Sequence, residues 1–279
     1  MSFFSKMMSI DRRIIYIILA AAIIYPMYLP FGFKVAAEEP AEAMYDYLMA
    51  LPAGSTVIFS GDLSSSGLTE LKPMVEVLVS KSLEAKHKVL LMALWAEGNN
   101  LIDAWTQKIF ADAGAVYGTD YIHLGYVPSY TAFLESSRTD LKNAFNGGVD
   151  KNRNKLDTYP IMDGINKASD IDMVISFGTG DPGYTHWIQQ WGATGECKAI
   201  GGGQVAVNYP TALNQYNAGN MVGVAGGLSG AATLEMCAGI VGSAHGASDM
   251  QSFGHLAIVF FLIIGNVGYF GAKKAGEVK

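Results

Sequence analysis

The chain has 279 residues, 50% of them hydrophobic, and a formal net charge of −6 at pH 7. Residues 35–254 hold 12 Lys and Arg against 23 Asp and Glu, so this segment alone carries a net charge of −11. A nucleic-acid partner requires a positive face that neutralises phosphates, and this composition argues against one.

An uncharged apolar run at 14–33 is the strongest single feature of the sequence. A run of this length can cross the hydrocarbon core of a bilayer as a helix, and we predict transmembrane helix 1 at 14–34. The run is too long for a signal peptide, which is the alternative interpretation, and Pro26 and Pro30 interrupt its end. The two prolines predict a kinked or early-ending helix. A second uncharged apolar run predicts transmembrane helix 2 at 255–272.

Basic residues on the outer sides of the two runs predict the topology. Cytoplasmic segments next to membrane helices are enriched in Lys and Arg, so the tails at 1–13 and 273–279 are expected in the cytoplasm. Lys34, between the runs, is the exception. We therefore predict a two-pass protein of the cell membrane, with both termini cytoplasmic and the main domain extracytoplasmic. The basic residues in the tails are Lys6, Arg12, Arg13, Lys273, Lys274 and Lys279.

Between the runs, short apolar segments alternate with amphipathic ones. Strands too apolar to face water, separated by helices, predict a parallel sheet that is covered on both faces. The fold class is therefore α/β, a Rossmann-like or flavodoxin-like three-layer domain at 35–220, with its strand order left open. The predicted strands are 56–59, 88–94, 121–124, 170–177 and 198–200. The predicted helices are 40–51, 70–86, 101–114, 131–145, 184–191 and 211–218.

The composition changes after Pro210. Residues 221–254 are rich in Gly, Ala and Ser and predict a helical connector to the second membrane helix. Small-residue patches such as 226–230 let helices approach closely. Gly265, Asn266 and Gly268, within the second membrane run, favour a packed helix interface over a helix that faces only lipid.

Polar loops at predicted strand ends are the candidate ligand site, because ligands in open α/β sheets bind beyond the carboxyl ends of the strands. The loop after the first strand offers hydroxyls to an anion or a sugar, and the loop at 178–183 offers backbone amides before a helix. The structural alternatives are a solvated turn that caps the next helix for the first loop, a sharp turn for the glycines at 201–203, and a packing role for Trp95. Neither loop is a Walker loop or a Rossmann fingerprint, and no cofactor or metal is predicted. The candidate ligand-binding residues are Ser60, Asp62, Ser64, Trp95, Thr179, Gly180, Asp181 and Gly202.

The sequence partly matches two further types of site. Ser64, His186 and Asp181 supply the residue types of a hydrolase triad, but the sequence has no Gly-x-Ser-x-Gly elbow. Residues 150–154 resemble the start of a calcium loop. The match fails where Lys155 replaces the turn glycine and where Ile161 replaces the bidentate acid.

Two cysteines, Cys197 and Cys237, are the only ones in the chain. They could pair in an oxidising compartment. The alternative, which we favour, is that Cys237 is a buried small hydrophobic residue.

Several local sequences point to a family. They are PAGSTVIFS at 52–60, LTELKPM at 68–74, LMALW at 91–95, PIMDGI at 160–165, GDPGY at 180–184 and AGGLSGAA at 225–232. Together they resemble an uncharacterised family of membrane-anchored bacterial and archaeal proteins with a Rossmann-like domain between two transmembrane helices. The resemblance covers most of the chain and implies this layout. It implies no activity and assigns no functional residue.

These features favour a structural or ligand-sensing subunit of a membrane protein assembly over an enzyme. The chain is tethered at both ends, has small-residue helices near the second span and lacks a catalytic constellation. Its expected partners are the lipid bilayer and other membrane subunits or further copies of itself. The alternative is a membrane-anchored small-molecule-binding protein or enzyme that uses the strand-end rim.

Overall fold

A computed structural model describes residues 3–28, 37–197 and 199–276. The described residues form two compact units. One lies within Ala36–Ala244, and the other combines Met1–Val35 with His245–Lys279.

The first unit is built on one parallel sheet of six strands in the order β3-β2-β1-β4-β5-β6. The strands are β1 (Thr56–Asp62), β2 (Lys88–Ala93), β3 (Tyr121–Tyr126), β4 (Met173–Gly178), β5 (Ile200–Gln204) and β6 (Gly223–Gly226). The chain starts in the middle, builds one half through β2 and β3, and then fills the other half. This is the doubly wound Rossmann order. The prediction of an α/β fold with a parallel sheet covered on both faces is confirmed.

Helices α3 to α10 connect or flank the strands, and helices cover both faces of the sheet. The helices of the described residues are α1 (Phe3–Met8), α2 (Arg12–Tyr28), α3 (Glu39–Ala50), α4 (Leu68–Glu84), α5 (Ala96–Asp112), α6 (Tyr130–Ser136), α7 (Leu141–Ala144), α8 (Tyr184–Trp187), α9 (Tyr209–Asn217), α10 (Gly227–Cys237) and α11 (Ser243–Lys274).

The core lies on both faces of the sheet because successive side chains of a strand point to opposite sides. Ile58 belongs to the core cluster that includes Trp187 and Trp191. Its neighbour Phe59 stacks on Phe177 of β4, with ring centroids 6.4 Å apart. Burial on both faces explains why the strands are continuous apolar runs without alternation.

The glycines at 201–203 are not a turn after the fifth strand, as expected from the sequence, but part of β5 itself. Their missing side chains let neighbouring elements approach. A Cβ on Gly201 would lie 3.0 Å from Met44 Sδ of α3, and one on Gly202 would lie 2.7 Å from Met221 Cε. Close packing, and not a change of chain direction, explains this run.

The stretch expected to be a helical connector contains a sixth strand. Residues 223–226 pair in parallel with β5, Gly202 opposite Val224, and α10 begins at once with Gly227. Because β6 completes the sheet, the compact α/β unit extends to Ala244 and not to residue 220.

Three other boundaries differ from the sequence prediction. β1 continues through Asp62, into the stretch expected to be a loop. α5 begins at Ala96, which makes most of the expected loop at 95–100 helical. The helix expected at 131–145 is broken, because the Asp140 side chain accepts a hydrogen bond from Asn143 N and starts the separate helix α7.

The second unit contains α1, α2 and α11. α11 has 32 residues, about 48 Å at 1.5 Å per residue, and is long and apolar enough to cross a membrane. It contains the predicted second span. Of the predicted first span, α2 covers the part up to Tyr28, including Pro26. The remainder, 29–34, lies outside the described residues.

α2 and α11 run antiparallel. Near one end, Ile23 lies against Gly254, and near the other the ring of Phe4 in α1 lies against Gly271. Between these contacts the two helices line an apolar cavity of about 370 Å³ that includes Leu19. The N-terminus of α2 and the C-terminus of α11 therefore lie at the same end of the pair.

Candidate functional site

Asp62 ends β1 at the point where the strand order reverses, which is where ligands bind in open α/β sheets. Its side chain is fully buried, and its carboxylate accepts four hydrogen bonds. Oδ1 accepts from Ser60 Oγ at 2.6 Å and from the Leu94 backbone N–H at 2.9 Å. Oδ2 accepts from Ser176 Oγ at 2.7 Å and from Trp187 Nε1 at 3.2 Å.

Four segments bring these donors together. Ser60 and Asp62 lie on the same side of β1 because they are two residues apart. Ser176 is the register partner of Ser60 on β4, Leu94 follows β2, and Trp187 comes from α8. The carboxylate therefore joins three strands and a helix.

Burial raises the pKa of Asp62, and the four hydrogen bonds act in the opposite direction. Ser60 and Asp62 were expected in an exposed loop that offers polar groups to a ligand. Both are instead fully buried in β1, because the apolar strand continues past Phe59 and their polar groups satisfy one another.

The exposed rim begins with Ser64. Its backbone N–H donates to Thr179 Oγ1 at 3.0 Å, and its hydroxyl lies 2.7 Å from Ser66 Oγ. A Cβ on Gly67 would lie 2.6 Å from Thr179 Cγ2, so the loops after β1 and β4 touch at this point. The Ser65 N–H donates to Glu97 Oε1 at 3.0 Å, which ties the rim to α5. The structure thus brings the predicted Ser64 and Thr179 together.

The loop after β4 places a second pair of polar groups on the rim. His186 Nδ1 lies 3.3 Å from Asp181 Oδ1, and the Asp181 side chain is 75% exposed. The ring of Tyr130 meets His186 edge-on, with centroids 4.7 Å apart. Two members of the imagined triad therefore meet, while the hydroxyl of the third, Ser64, lies beside Ser66 and Thr179.

The other predicted residues are placed as follows. Trp95 is half-buried and precedes the first residue of α5 in extended conformation. Gly180 is exposed in the loop after β4, where added side-chain atoms would meet open space. Gly202 is buried inside β5, with a methionine side chain over it, and lies away from any loop.

A cluster of titratable side chains at the carboxyl end of β3 was not predicted as a site. His123 is 1% exposed, its Nδ1 accepts from the Gly125 N–H at 3.1 Å, and its Nε2 lies 4.0 Å from Asp103 Oδ1. The same Asp103 oxygen forms an ion pair with Lys151. Burial and the charge of Lys151 lower the pKa of His123 to about 4, so the imidazole is neutral at pH 7. The sequence signal was the polar run after residue 149.

The carboxylate of Asp150 organises that polar run. It accepts from the hydroxyls of Tyr117 and Tyr159, both at 2.8 Å, and from the backbone N–H groups of Asn152 and Asn154. Burial alone raises the pKa of Asp150, but these hydrogen bonds outweigh it and the net pKa is lowered. The loop that mimics a calcium loop is thus held by an internal turn.

Both cysteines are free thiols, one buried and one half-buried. Within residues 3–28, 37–197 and 199–276, no group of three His, Cys, Asp or Glu side chains is placed to hold a metal ion. Three cavities of about 250 to 330 Å³ open on the α/β unit, and none of these three is lined by a predicted site residue.

Comparison of the chain with protein-family models, curated proteins and solved structures finds no match.

Proposed function

We propose that this chain is a structural or ligand-sensing subunit of a membrane protein assembly, anchored in the cell membrane by two helices. The observation that carries the proposal is the apolar surface of α11. Leu256, Phe260, Ile263 and Phe270 are each more than half exposed on this helix. Exposed apolar area costs about 25 cal/mol per Å² in water, a cost that a bilayer removes.

The second span of the proposal is α2. Its 17 described residues extend about 26 Å, close to the roughly 30 Å of a hydrocarbon core. Antiparallel packing against α11 is compatible with two passes and with both tails on one side. The basic residues of those tails favour the cytoplasm, which leaves the α/β unit on the extracytoplasmic side.

Asn266 supports a role in an assembly. Its Nδ2 donates to Leu262 O in its own helix at 2.9 Å, and the side chain is exposed. An exposed amide in hydrocarbon is unfavourable, whereas amides that hydrogen-bond across helices stabilise helix association. Gly265 and Asn266 line the open cavity beside Leu19 of α2, and a Cβ on Gly265 would meet open space, so this cavity has room for the close approach of a further helix.

Asp62 favours a structural role at the switch point of the sheet. All four of its donors come from within the fold, and the carboxylate is sealed from solvent. In a binding protein, the residue at this position would face the ligand most directly. In this chain, Asp62 instead links neighbouring segments of the fold.

Native mass spectrometry of the full chain, extracted from its own membranes in a mild detergent, tests the proposal. We expect a species heavier than one chain, and a monomer alone would contradict it. Asn266→Leu should shift the distribution toward monomer because it removes the amide. Phe260→Leu, on the same helix, is the control and should leave the distribution unchanged.

The contact between Asp181 and His186 favours a second candidate function, a membrane-anchored binding protein or hydrolase that uses the rim. Hydrolysis of p-nitrophenyl acetate by the purified protein tests it. A triad requires that activity be lost in Ser64→Ala and His186→Ala and kept in Ser66→Ala. Equal rates in all three variants would reject the triad.

A further inference from the structure

A cavity of about 320 Å³ opens at the carboxyl end of β3, away from the crevice between β1 and β4. Its size is at the lower end of small-molecule sites. Tyr126 and Val149 supply apolar wall, and polar groups come from Asn99, Lys151 and Arg153. The wall thus combines an apolar surface with a few polar residues, the usual composition of a ligand pocket.

The charged side chains around this cavity differ in whether they have a partner within the fold. Lys151 is ion-paired with Asp103, and the carboxylate of Asp150 is occupied by its four internal donors. Arg153, in contrast, has no ion pair with any residue of the described ranges. A guanidinium presents a planar fork of donors that matches a carboxylate. The free charge of the cavity is therefore suited to a carboxylate ligand.

An acceptor in the same wall also lacks a partner. Asn99 Oδ1 is buried and makes no hydrogen bond within the described part of the chain, while its amide nitrogen donates to Asn100 Oδ1 at 3.3 Å. A buried amide oxygen without a donor is unfavourable. Because this oxygen has no surface open to the cavity, a ligand in the cavity does not reach it, and it takes no part in the site.

The backbone turn that carries Arg153 is held by contacts within the fold. Its backbone φ is +67°, a left-handed conformation that non-glycine residues rarely adopt. The turn is held by Asp150, which accepts from the N–H groups of the residues on either side of Arg153 and from Tyr117 and Tyr159. These contacts fix the backbone of the turn, while the Arg153 side chain itself is exposed.

Lys151 is held in a similar way from behind. The Asp103 oxygen that it contacts also faces the buried ring of His123, whose Nδ1 acts as an acceptor and whose Nε2 therefore carries the hydrogen. One carboxylate does not use all three donors of an ammonium, so Lys151 retains N–H groups for a second ligand carboxylate.

We infer that this cavity is a binding site for a small dicarboxylic acid, with one carboxylate on Arg153 and the other on Lys151. The site is separate from the rim between β1 and β4 and independent of the proposed role in a membrane assembly. Binding at this site would make the α/β unit a sensor of that acid.

Isothermal titration calorimetry with L-malate, on the full chain in detergent, tests the inference. We expect saturable binding that Arg153→Gln weakens by about tenfold or more, the range for a hydrogen bond to a charged group. Lys151→Gln should also weaken L-malate binding several-fold, and acetate, which has a single carboxylate, should bind more weakly than L-malate. Lys108→Gln, which removes an equal charge from an exposed face of α5, should have no effect.

Several outcomes would overturn the inference. They are the absence of saturable heat with up to about 10 mM L-malate, well above a millimolar Kd, or equal binding by wild type and Arg153→Gln. Inorganic phosphate that binds as tightly as L-malate would reject the carboxylate assignment. If Arg153→Gln does not fold, the comparison of acetate with L-malate decides, because equal binding of the two ligands would overturn the inference.

Discussion

Replacing Asp62 tests whether the carboxylate at the end of β1 is a structural joint. In Asp62→Ala, four buried donors lose their acceptor. The hydroxyls of Ser60 and Ser176 can rotate toward other acceptors, but the N–H groups of Leu94 and Trp187 are fixed. Two fixed donors left unpaired cost about 1–3 kcal/mol each, so we expect the free energy of unfolding to fall by about 3–5 kcal/mol.

Asp62→Asn should cost less. Either orientation of the new amide places its nitrogen against one fixed N–H, that of Leu94 on one side or that of Trp187 on the other. One donor therefore loses its acceptor, at about 1–3 kcal/mol. Removal of a buried charge offsets part of this loss, since burial raises the pKa of the carboxyl.

Thermal unfolding followed by tryptophan fluorescence measures both effects, because Trp187 lies in the network. One kcal/mol corresponds to about 2–4 °C in Tm for a domain of this size, so Asp62→Ala should melt about 10 °C below wild type. Ser66→Ala, in the exposed rim, is the control and should stay within about 0.5 kcal/mol of wild type. An Asp62→Ala variant as stable as that control would refute the structural assignment.

Three further predictions follow from buried or crowded groups in the α/β unit. Gly98→Ala should destabilise the unit by about 3 kcal/mol, because the new Cβ would overlap a backbone carbonyl oxygen of β1, whereas Gly180→Ala should be tolerated in thermal melts. Iodoacetamide should modify half-buried Cys237 before Cys197, whose thiol pKa burial raises to about 11; early modification of Cys197 in folded protein would contradict its burial. The pKa of Asp150 is lower in the folded protein than in the unfolded chain, so its carboxylate contributes to the free energy of unfolding above the unfolded pKa of about 4. This contribution is lost as the pH falls through the folded pKa. In acid titrations, an Asp150→Asn variant should therefore lose less stability than wild type.

Much of the fold follows from local sequence. The strands at 56, 88 and 121 are apolar runs bounded by turn residues, and the helices between them have apolar residues at helical spacing. These patterns predict a covered parallel sheet without any knowledge of strand order. The order itself depends on contacts between distant segments, such as Val57 beside Met173, which no local pattern contains.

β5 and β6 were the hardest elements to predict, because they are rich in glycine. Residues 201–203 and 223–226 have low intrinsic strand preference. They form strands because Met44 of α3 packs against their backbones, and larger residues at Gly201 or Gly223 would collide with it. Tertiary packing therefore determined these strands against their local propensity.

The candidate site was predictable only in part. Sequence reasoning selected Ser60 and Asp62 but placed them in a loop, since it could not see that Ser176 and Trp187 converge on them from 114 and 125 positions away. The cavity beside β3 was missed because its residues are dispersed in sequence. The polar run that follows α7 and carries Arg153 was the available signal.

Labelling with an impermeant maleimide in intact cells tests the central claim, a two-pass protein with an extracytoplasmic α/β unit. Asn152 and Ser9 are both exposed and can each be replaced by cysteine, in a background where Cys237 is serine. The account predicts that Asn152→Cys reacts in intact cells and that Ser9→Cys reacts only after the membrane is permeabilised. Protection of Asn152→Cys in intact cells, together with reaction of Ser9→Cys, would contradict it.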